Sequence, residues 1–291
     1  MSEAVVVQGR RLEPPEIGRI RELVAANPQW SRRRISEALC TEWDWRNGAG
    51  RLKDMATRTL LVKLEARGLI ELPARRRTAS NRMRSQRIPR LCWDESPVAA
   101  PLGDLGPLSV QEVSTDAVAR QWFGAALAEF HYLGYRGTVG ENLQYTVSDA
   151  AGRLLACLLF GSAAWKCQAR DRFIGWTPEE RSECLHLLTN NTRFLILPWV
   201  RVPHLASWAL GGVLRRLSRD WQRKYGHAVV LVETFVERRR FAGTSYTAAN
   251  WIRLGATTGR SRQDRHRTLR VADKDVYLCP LRRDFRRVLS Q

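Results

Sequence analysis

The chain has 291 residues, 44% of them hydrophobic and eleven of them tryptophan, enough for a sizeable core in one large domain or two modest ones. Its 48 lysines and arginines outnumber 29 aspartates and glutamates, and the net charge of +19 favours a polyanionic partner, with nucleic acid the natural candidate. It contains no apolar run of about eighteen residues, and MSEAVVVQGRRLEPPE has no apolar signal region, so neither membrane insertion nor secretion is expected and the protein reads as cytoplasmic.

The charge is uneven. Residues 1–100 hold 20 basic and 12 acidic side chains, residues 101–230 hold 14 and 11, and residues 231–291 hold 14 and 6. Five of the basic residues are lysine; arginine's rigid fork suits bidentate phosphate and guanine contacts, although a GC-rich genome would also favour it. The six cysteines form no C-x-x-C pair and the five histidines no ligand spacing, so no metal site is expected and the cysteines read as reduced core residues.

Taken in chain order, EIGRIRELVAANP (16–28) has helical apolar spacing and stops at Asn27-Pro28. Ser31 caps a second helix, RRRISEALCTEW, which RNGAG closes. In the third, RLKDMATRTLLVKLEARG, the spacing places Leu52, Met55, Thr59, Leu60 and Leu64 inward and Lys53, Asp54, Thr57, Arg58 and Lys63 outward. LIELP then reads as a short strand that would start a wing. Three helices and a hairpin over residues 1–73 make a winged helix-turn-helix with 52–66 as recognition helix, or else a small helical bundle for protein contacts.

The arginine-rich, acid-free segment 74–90 cannot bury a core. It reads as an arm that tracks phosphates, or as a solvated linker. SPVAAPLGDLGP (96–107) marks a domain boundary, so 74–107 is assigned as linker and 108–291 as the second domain.

That domain alternates strand and helix. LSVQEV is a strand, 115–133 a helix, and 143–161 two strands joined at Asp149–Gly152. WTPEERSECLHLL opens a helix at Thr177-Pro178. RFLILPWV is a buried strand, 205–226 a long helix ending at Gly226 and HAVVLVETFV a buried strand, followed by a short helix and a strand. The fold class is α/β (α+β), with a mixed sheet.

That order, with a long helix between RFLILPWV and HAVVLVETFV, resembles the GNAT acyltransferase fold. The wording HYLGYRGTVGENLQYTV, LLFGSAAWKCQARDRFIGW, NNTRFLILPWVRVPHLAS and VETFVERRRFAGTSYTAANWIRLGATTGR resembles the DruA-like family, named after a component of the Druantia anti-phage defence system. The resemblance covers essentially the whole chain. It implies DNA-directed work in defence or in mobile elements, since related proteins accompany or are fused to transposases, and it implies defence-system partners including a helicase. GTSYTAANW is also similar to wording in Mom-type DNA-modifying proteins of phages, which keeps a modification enzyme as a rival.

The site residues follow from these readings. DNA contacts are expected from Arg58 and Lys63, from Arg75, Arg76, Arg77, Arg82 and Arg84 in the arm, and from Arg260, Arg262, Arg265 and Arg267 in ATTGRSRQDRHR. Catalytic candidates are Glu233, set in the apolar VVLVETFV, and Tyr246, with His131 and Glu141 behind them. The bland alternative pairs Glu233 with a buried arginine and packs Tyr246 in the core with its hydroxyl bonded. The turn RVPHLAS (201–207) lacks the glycines of a GNAT pyrophosphate turn, and Pro203 has no N–H. Acetyl-CoA is therefore a doubtful cofactor and none is expected, although Arg201, Ser207 and Asn250 could hold an anion or ligand. There is no P-loop, and DKD (273–275) is weak material for a nuclease. The leading function is a DNA-binding component without its own catalytic activity. The alternatives are a GNAT-like transferase acting on a nucleobase or protein amine, and a protein-interaction subunit.

Overall fold

The computed structural model describes residues 5–7, 10–46, 50–75, 88–257 and 272–290, in two compact units, Met1–Asn81 and Arg82–Gln291. In the first unit, strands β1 (Val5–Val7) and β2 (Arg10–Leu12) pair antiparallel, ahead of helices α1 (Pro14–Ala26), α2 (Arg32–Glu42) and α3 (Asp54–Glu65). Pro14 stands at the start of α1, where its missing N–H costs nothing, and the Ser31 side chain accepts from the Arg34 N–H to cap α2. Leu12, Ile17, Ile20, Ile35, Leu39, Leu60, Leu61 and Leu64 form one core with Ile70 and Leu72.

Two expectations for this unit are corrected. Met55 is 64% exposed and Thr57 fully buried, so α3 is rotated from its expected face. Residues 57, 60, 61 and 64 share the inner stripe, and the Thr57 hydroxyl meets the Lys53 carbonyl and the Cys40 sulfur, which satisfies a polar group in the core. LIELP is not a strand. Its backbone is held by other partners: Leu69 N–H donates to Leu64 O, Leu72 N–H to the Glu65 carboxylate, and Arg21 and Arg32 donate to the Leu69 and Pro73 carbonyls. Pro73 cannot donate to a ladder. Ile70 and Leu72 instead anchor the segment on the helices.

The second unit is a seven-stranded mixed sheet in the order β3-β4-β5-β6-β7-β9-β8. In chain order its elements are β3 (Ser109–Glu112), α4 (Ala117–Phe130), β4 (Leu143–Ser148), β5 (Leu154–Ser162), α5 (Gln168–Ile174) and α6 (Pro178–Cys184). They continue with β6 (Leu188–Ile196), α7 (Leu205–Tyr225), β7 (Leu231–Glu237), α8 (Thr244–Ala248), β8 (Ile252–Ala256), β9 (Lys274–Pro280) and α9 (Phe285–Leu289). All neighbouring strands run antiparallel except β6 and β7, which are parallel, with α7 as the crossover between them. The inner stripe of α7 (Leu205, Ala209, Leu210, Val213, Leu217, Trp221) joins Tyr145, Leu158 and Phe160 of the sheet in one core. Each such large apolar side chain contributes about 1.5–3 kcal/mol on burial.

The stretch expected to mark a boundary before residue 108 lies against this unit. Val98 N–H donates to Trp199 O and Val98 O accepts from Arg201 N–H, while Trp93 packs on Phe130 and Trp199. Four cysteines are buried, Cys279 is half-buried, and Cys92, expected in the core, is exposed. Among the described residues no group of three or more His, Cys, Asp or Glu is placed to hold a metal, and no helix is long and apolar enough to cross a membrane.

Candidate functional site

The parallel strands β6 and β7 part company soon after they meet. Their bridges are Leu188–Leu231, Thr189–Val232 and Asn190–Glu233, yet both strands continue, to Ile196 and Glu237. The divergence has a local cause on β6. Leu159 of β5 pairs with Arg193 and Phe160 with Asn191, so Thr192 is an extra residue, a bulge that turns β6 away from β7.

Asn191 braces the bulge. Its Nδ2 donates to the Leu159 and Arg193 carbonyls at 3.1 Å each. Its Oδ1 accepts from the Tyr246 hydroxyl at 2.8 Å, and its backbone carbonyl accepts from Thr234 Oγ1 at 2.9 Å. The side-chain bonds replace ladder bonds that the bulge breaks.

A cavity of about 690 Å³ opens at the split. Its floor includes Asn190, Asn191, Thr234 and Tyr246, and Ala206 at the first turn of α7 lies at its edge. Tyr132, Leu133 and Phe241 stand at the cavity partly exposed, with Tyr132 and Phe241 ring centroids 5.3 Å apart and the Arg240 guanidinium 5.0 Å from the Tyr132 centroid. Arg193 donates to the Gly134 and Thr192 carbonyls and pairs with no carboxylate among the described residues; burial lowers its pKa. His131 also lines the cavity, and burial first, then Arg193, pushes its pKa down to about 4, which leaves the imidazole neutral at pH 7.

Glu233 is fully buried, and both its oxygens are engaged. Oε2 lies 2.8 Å from Arg170 Nη1, and Oε1 accepts from the Ala164 N–H at 2.6 Å. Burial pushes this carboxyl up, while Arg170 and the Ala164 N–H pull the other way. The Tyr246 phenol is likewise pushed up by burial. Tyr246 thus stands at the cavity floor and Glu233 in the Arg170 pair beside it. Glu141 is elsewhere, with Oε2 2.7 Å from His227 Nε2.

Among the anion-site candidates, the Ser207 hydroxyl donates back to His204 O, Arg201 is exposed, and exposed Asn250 adopts the left-handed turn conformation (φ 62°) between α8 and β8. His204, also left-handed at φ 65°, precedes α7 where a glycine turn was sought. Arg58 pairs with Asp54 at 2.7 Å, Lys63 is half-exposed and Arg75 exposed. Arg76, Arg77, Arg82, Arg84, Arg260, Arg262, Arg265 and Arg267 lie outside the described residues.

The sequence reading passed over Arg193, Arg240, Tyr132 and Phe241. The available signal was an aromatic set among charges, in ERRRFAG, and the aromatic pair HY at the end of a helix. A second cavity of about 640 Å³ adjoins α5, β8 and β9; Phe235 and Lys274 line both cavities.

No curated protein matches the chain. Among solved structures, a dodecameric spermidine N-acetyltransferase from Vibrio cholerae is 11% identical, with 48% of this chain and 65% of that one covered and a TM-score of 0.32. The V. cholerae spermidine N-acetyltransferase in complex with CoA and spermine is 8% identical over 60% of this chain and 95% of that one, with a TM-score of 0.40. A protein provisionally assigned as a phosphinothricin N-acetyltransferase is 12% identical over 60% and 99%, also at 0.40. These neighbours are acetyltransferases, and at such scores they carry no conclusion about activity. The family match is of another order: the model of "Druantia protein DruA" matches residues 63–272, well over half of the sequence, and the chain belongs to the DruA family.

Proposed function

We propose that this DruA-family protein is a DNA-engaging component of an anti-phage defence system, holding duplex DNA through arginine rows on its surface. The observation that carries the reading is on α7. Arg215, Arg219 and Arg223 recur every fourth residue on its exposed face, while the one acid of that helix, Asp220, is buried against Tyr145 and Arg216 and lies 3.5 Å from the exposed Arg223. A helix face with cations one turn apart and no exposed acid suits a phosphate backbone. The first unit adds a second element: three helices in helix-turn-helix order, with Lys63 on α3 and Arg75 beyond it. A helix-turn-helix role for that unit is part of the proposal, as are contacts from the arginines of 76–87 and 258–271.

The test is duplex affinity as a function of salt. Changing Arg215, Arg219 and Arg223 together to Ala is expected to lower the slope of log K against log[salt] by about 0.9 per lost phosphate contact. The same change at Arg260, Arg262 and Arg265 is expected to act likewise. An unaltered affinity and slope in both triple variants overturns the reading.

A second reading, a transferase acting on a nucleobase or protein amine, is favoured by the cavity at the β6–β7 split and by the neutral His131 beside it. Against acetyl-CoA, the turn at 201–207 offers a proline and a left-handed histidine where close backbone approach to a pyrophosphate calls for glycine, and the Ser207 hydroxyl is turned back on His204 O. Calorimetry with acetyl-CoA and mass spectrometry of nucleosides after incubation decide it: no heat and no new nucleoside removes this reading.

A further inference from the structure

An aromatic side chain in a surface loop normally folds its ring onto the nearest apolar surface. Phe241 does not: its ring is half exposed at the mouth of the β6–β7 cavity, leaning on Tyr132, itself 37% exposed and flanked by the Arg240 guanidinium. Leu133, 48% exposed, adjoins them. Three exposed apolar side chains from two distant segments, 132–133 and 241, therefore converge on one opening, interleaved with cations.

The charge around the opening is one-sided. Arg193, Arg240 and Lys274 line the first cavity, and Lys166 and Arg172 line the second, which meets it at Phe235 and Lys274. Glu237 is the carboxylate among these lining residues, 3.3 Å from Arg240.

Flat rings at a rim and cations along the walls form a set that matches one ligand chemistry: a base with a free face on an anionic backbone. We infer that the groove formed by the two cavities binds single-stranded DNA, with an unstacked base seated on Phe241 and Tyr132 and its neighbouring phosphates held by Arg193, Arg240 and Lys274. Intact duplex does not meet this description, because its bases are stacked and show no face to a ring. The inference rests on the DNA-binding reading and deepens it, since it separates a cleft for single strands from a helix surface for duplex. Each cavity falls within the size range of small-ligand sites, which suits one or two nucleotides.

The test uses the full chain and an oligonucleotide carrying 2-aminopurine, whose fluorescence reports stacking. With native protein, the single strand is expected to bind and the probe's signal to change as it stacks on the rings. Phe241→Ala is expected to weaken single-strand binding by about tenfold or more, the scale of one base–aromatic stack. Phe241→Trp is expected to restore it, and Arg240→Gln to reduce its salt dependence. Duplex affinity should stay within twofold of native in these variants, and unchanged thermal unfolding confirms that they fold. Conversely, the Arg215/Arg219/Arg223 variant should lose duplex affinity and keep the probe signal.

Single-strand affinity and probe signal indifferent to Phe241→Ala overturn the inference while leaving the duplex reading standing. Acetyl-CoA binding that Phe241→Ala abolishes, with no effect on DNA, overturns it in favour of a nucleotide-bearing cofactor. Native protein that binds neither strand form at moderate salt overturns both readings together.

Discussion

Replacing Arg170 by methionine removes the cation that the second unit is built around at the β5–α5 junction. The guanidinium is fully buried: Nη1 donates to Glu233 Oε2 at 2.8 Å and to Ala164 O at 2.7 Å, and Nε and Nη2 donate to Asp171 Oδ1 at 2.9 and 2.7 Å. In the variant, Asp171 keeps Arg181 at 3.4 Å and the Trp176 indole N–H at 3.2 Å. Glu233 keeps only the Ala164 N–H of the contacts described for its oxygens. Breaking a buried pair from one side costs about 3–5 kcal/mol, and in a unit of this size each kcal/mol moves Tm by about 2–4 °C, so Tm should fall by about 6–20 °C at pH 8. The pH dependence has a definite sign. Burial already pushes Glu233 up from its ordinary 4.5, and loss of Arg170 pushes it further. A carboxyl raised in the folded state contributes stability that is present below the unfolded pKa and lost as pH rises through the folded one, so the penalty should be smallest near pH 4.5 and grow toward pH 8. Adding Glu233→Gln should recover most of the loss at pH 8 by removing the stranded charge. The assay is thermal unfolding across that range for both variants. A single variant within about 2 °C of native at pH 8, or a loss that does not vary with pH, refutes the reasoning.

Gly243→Ala should be costly, because the residue sits at φ 73° and an added Cβ would lie 2.3 Å from the buried Tyr277 hydroxyl. Strain and overpacking together predict about 2–5 kcal/mol, read by denaturant unfolding. Tyr246→Phe leaves the buried Asn191 Oδ1 without its donor, at about 1–3 kcal/mol by the same measurement; a neutral outcome would mean that Asn191 does not brace the bulge through this bond. His131 should titrate near pH 4 by NMR. Its depressed folded pKa contributes stability present above 6.5 and lost as pH falls toward 4, and a titration midpoint near 6.5 would contradict the burial that lowers it.

Features set by neighbours in sequence were legible. Ser31 and Thr177 cap α2 and α6 through the backbone N–H groups of Arg34 and Glu180, and Gly226 ends α7 at φ 82°. Such caps depend on side chains a turn away. Features set at long range were not. The strand before Arg193 was missed because LTNNT has the composition of a turn, and it becomes β6 through pairing with β5 and β7. The burial of Thr57 depends on Cys40, and the fate of LIELP on Arg21, Arg32 and Glu65. The cavity was invisible for the same reason, since its mouth joins residues 132 and 241.

Two residues are mismatched to their sequence surroundings, Glu233 in VVLVETFV, a catalytic candidate from the start, and Phe241 in ERRRFAG, which was not among the candidates, and the fold treats them differently. The carboxylate in an apolar strand is answered from within the chain, by Arg170, 63 residues earlier. Its oddity is therefore accounted for by packing, and chemistry need not be invoked to explain why it is there. The ring in a cationic loop finds only a partial answer in Tyr132 and remains half exposed. A mismatch the chain resolves by itself says how it is held together. One it leaves open at the mouth of a cavity has its explanation in something that binds, and for this reason Phe241, rather than Glu233, is the residue whose substitution most directly tests what the cleft takes up.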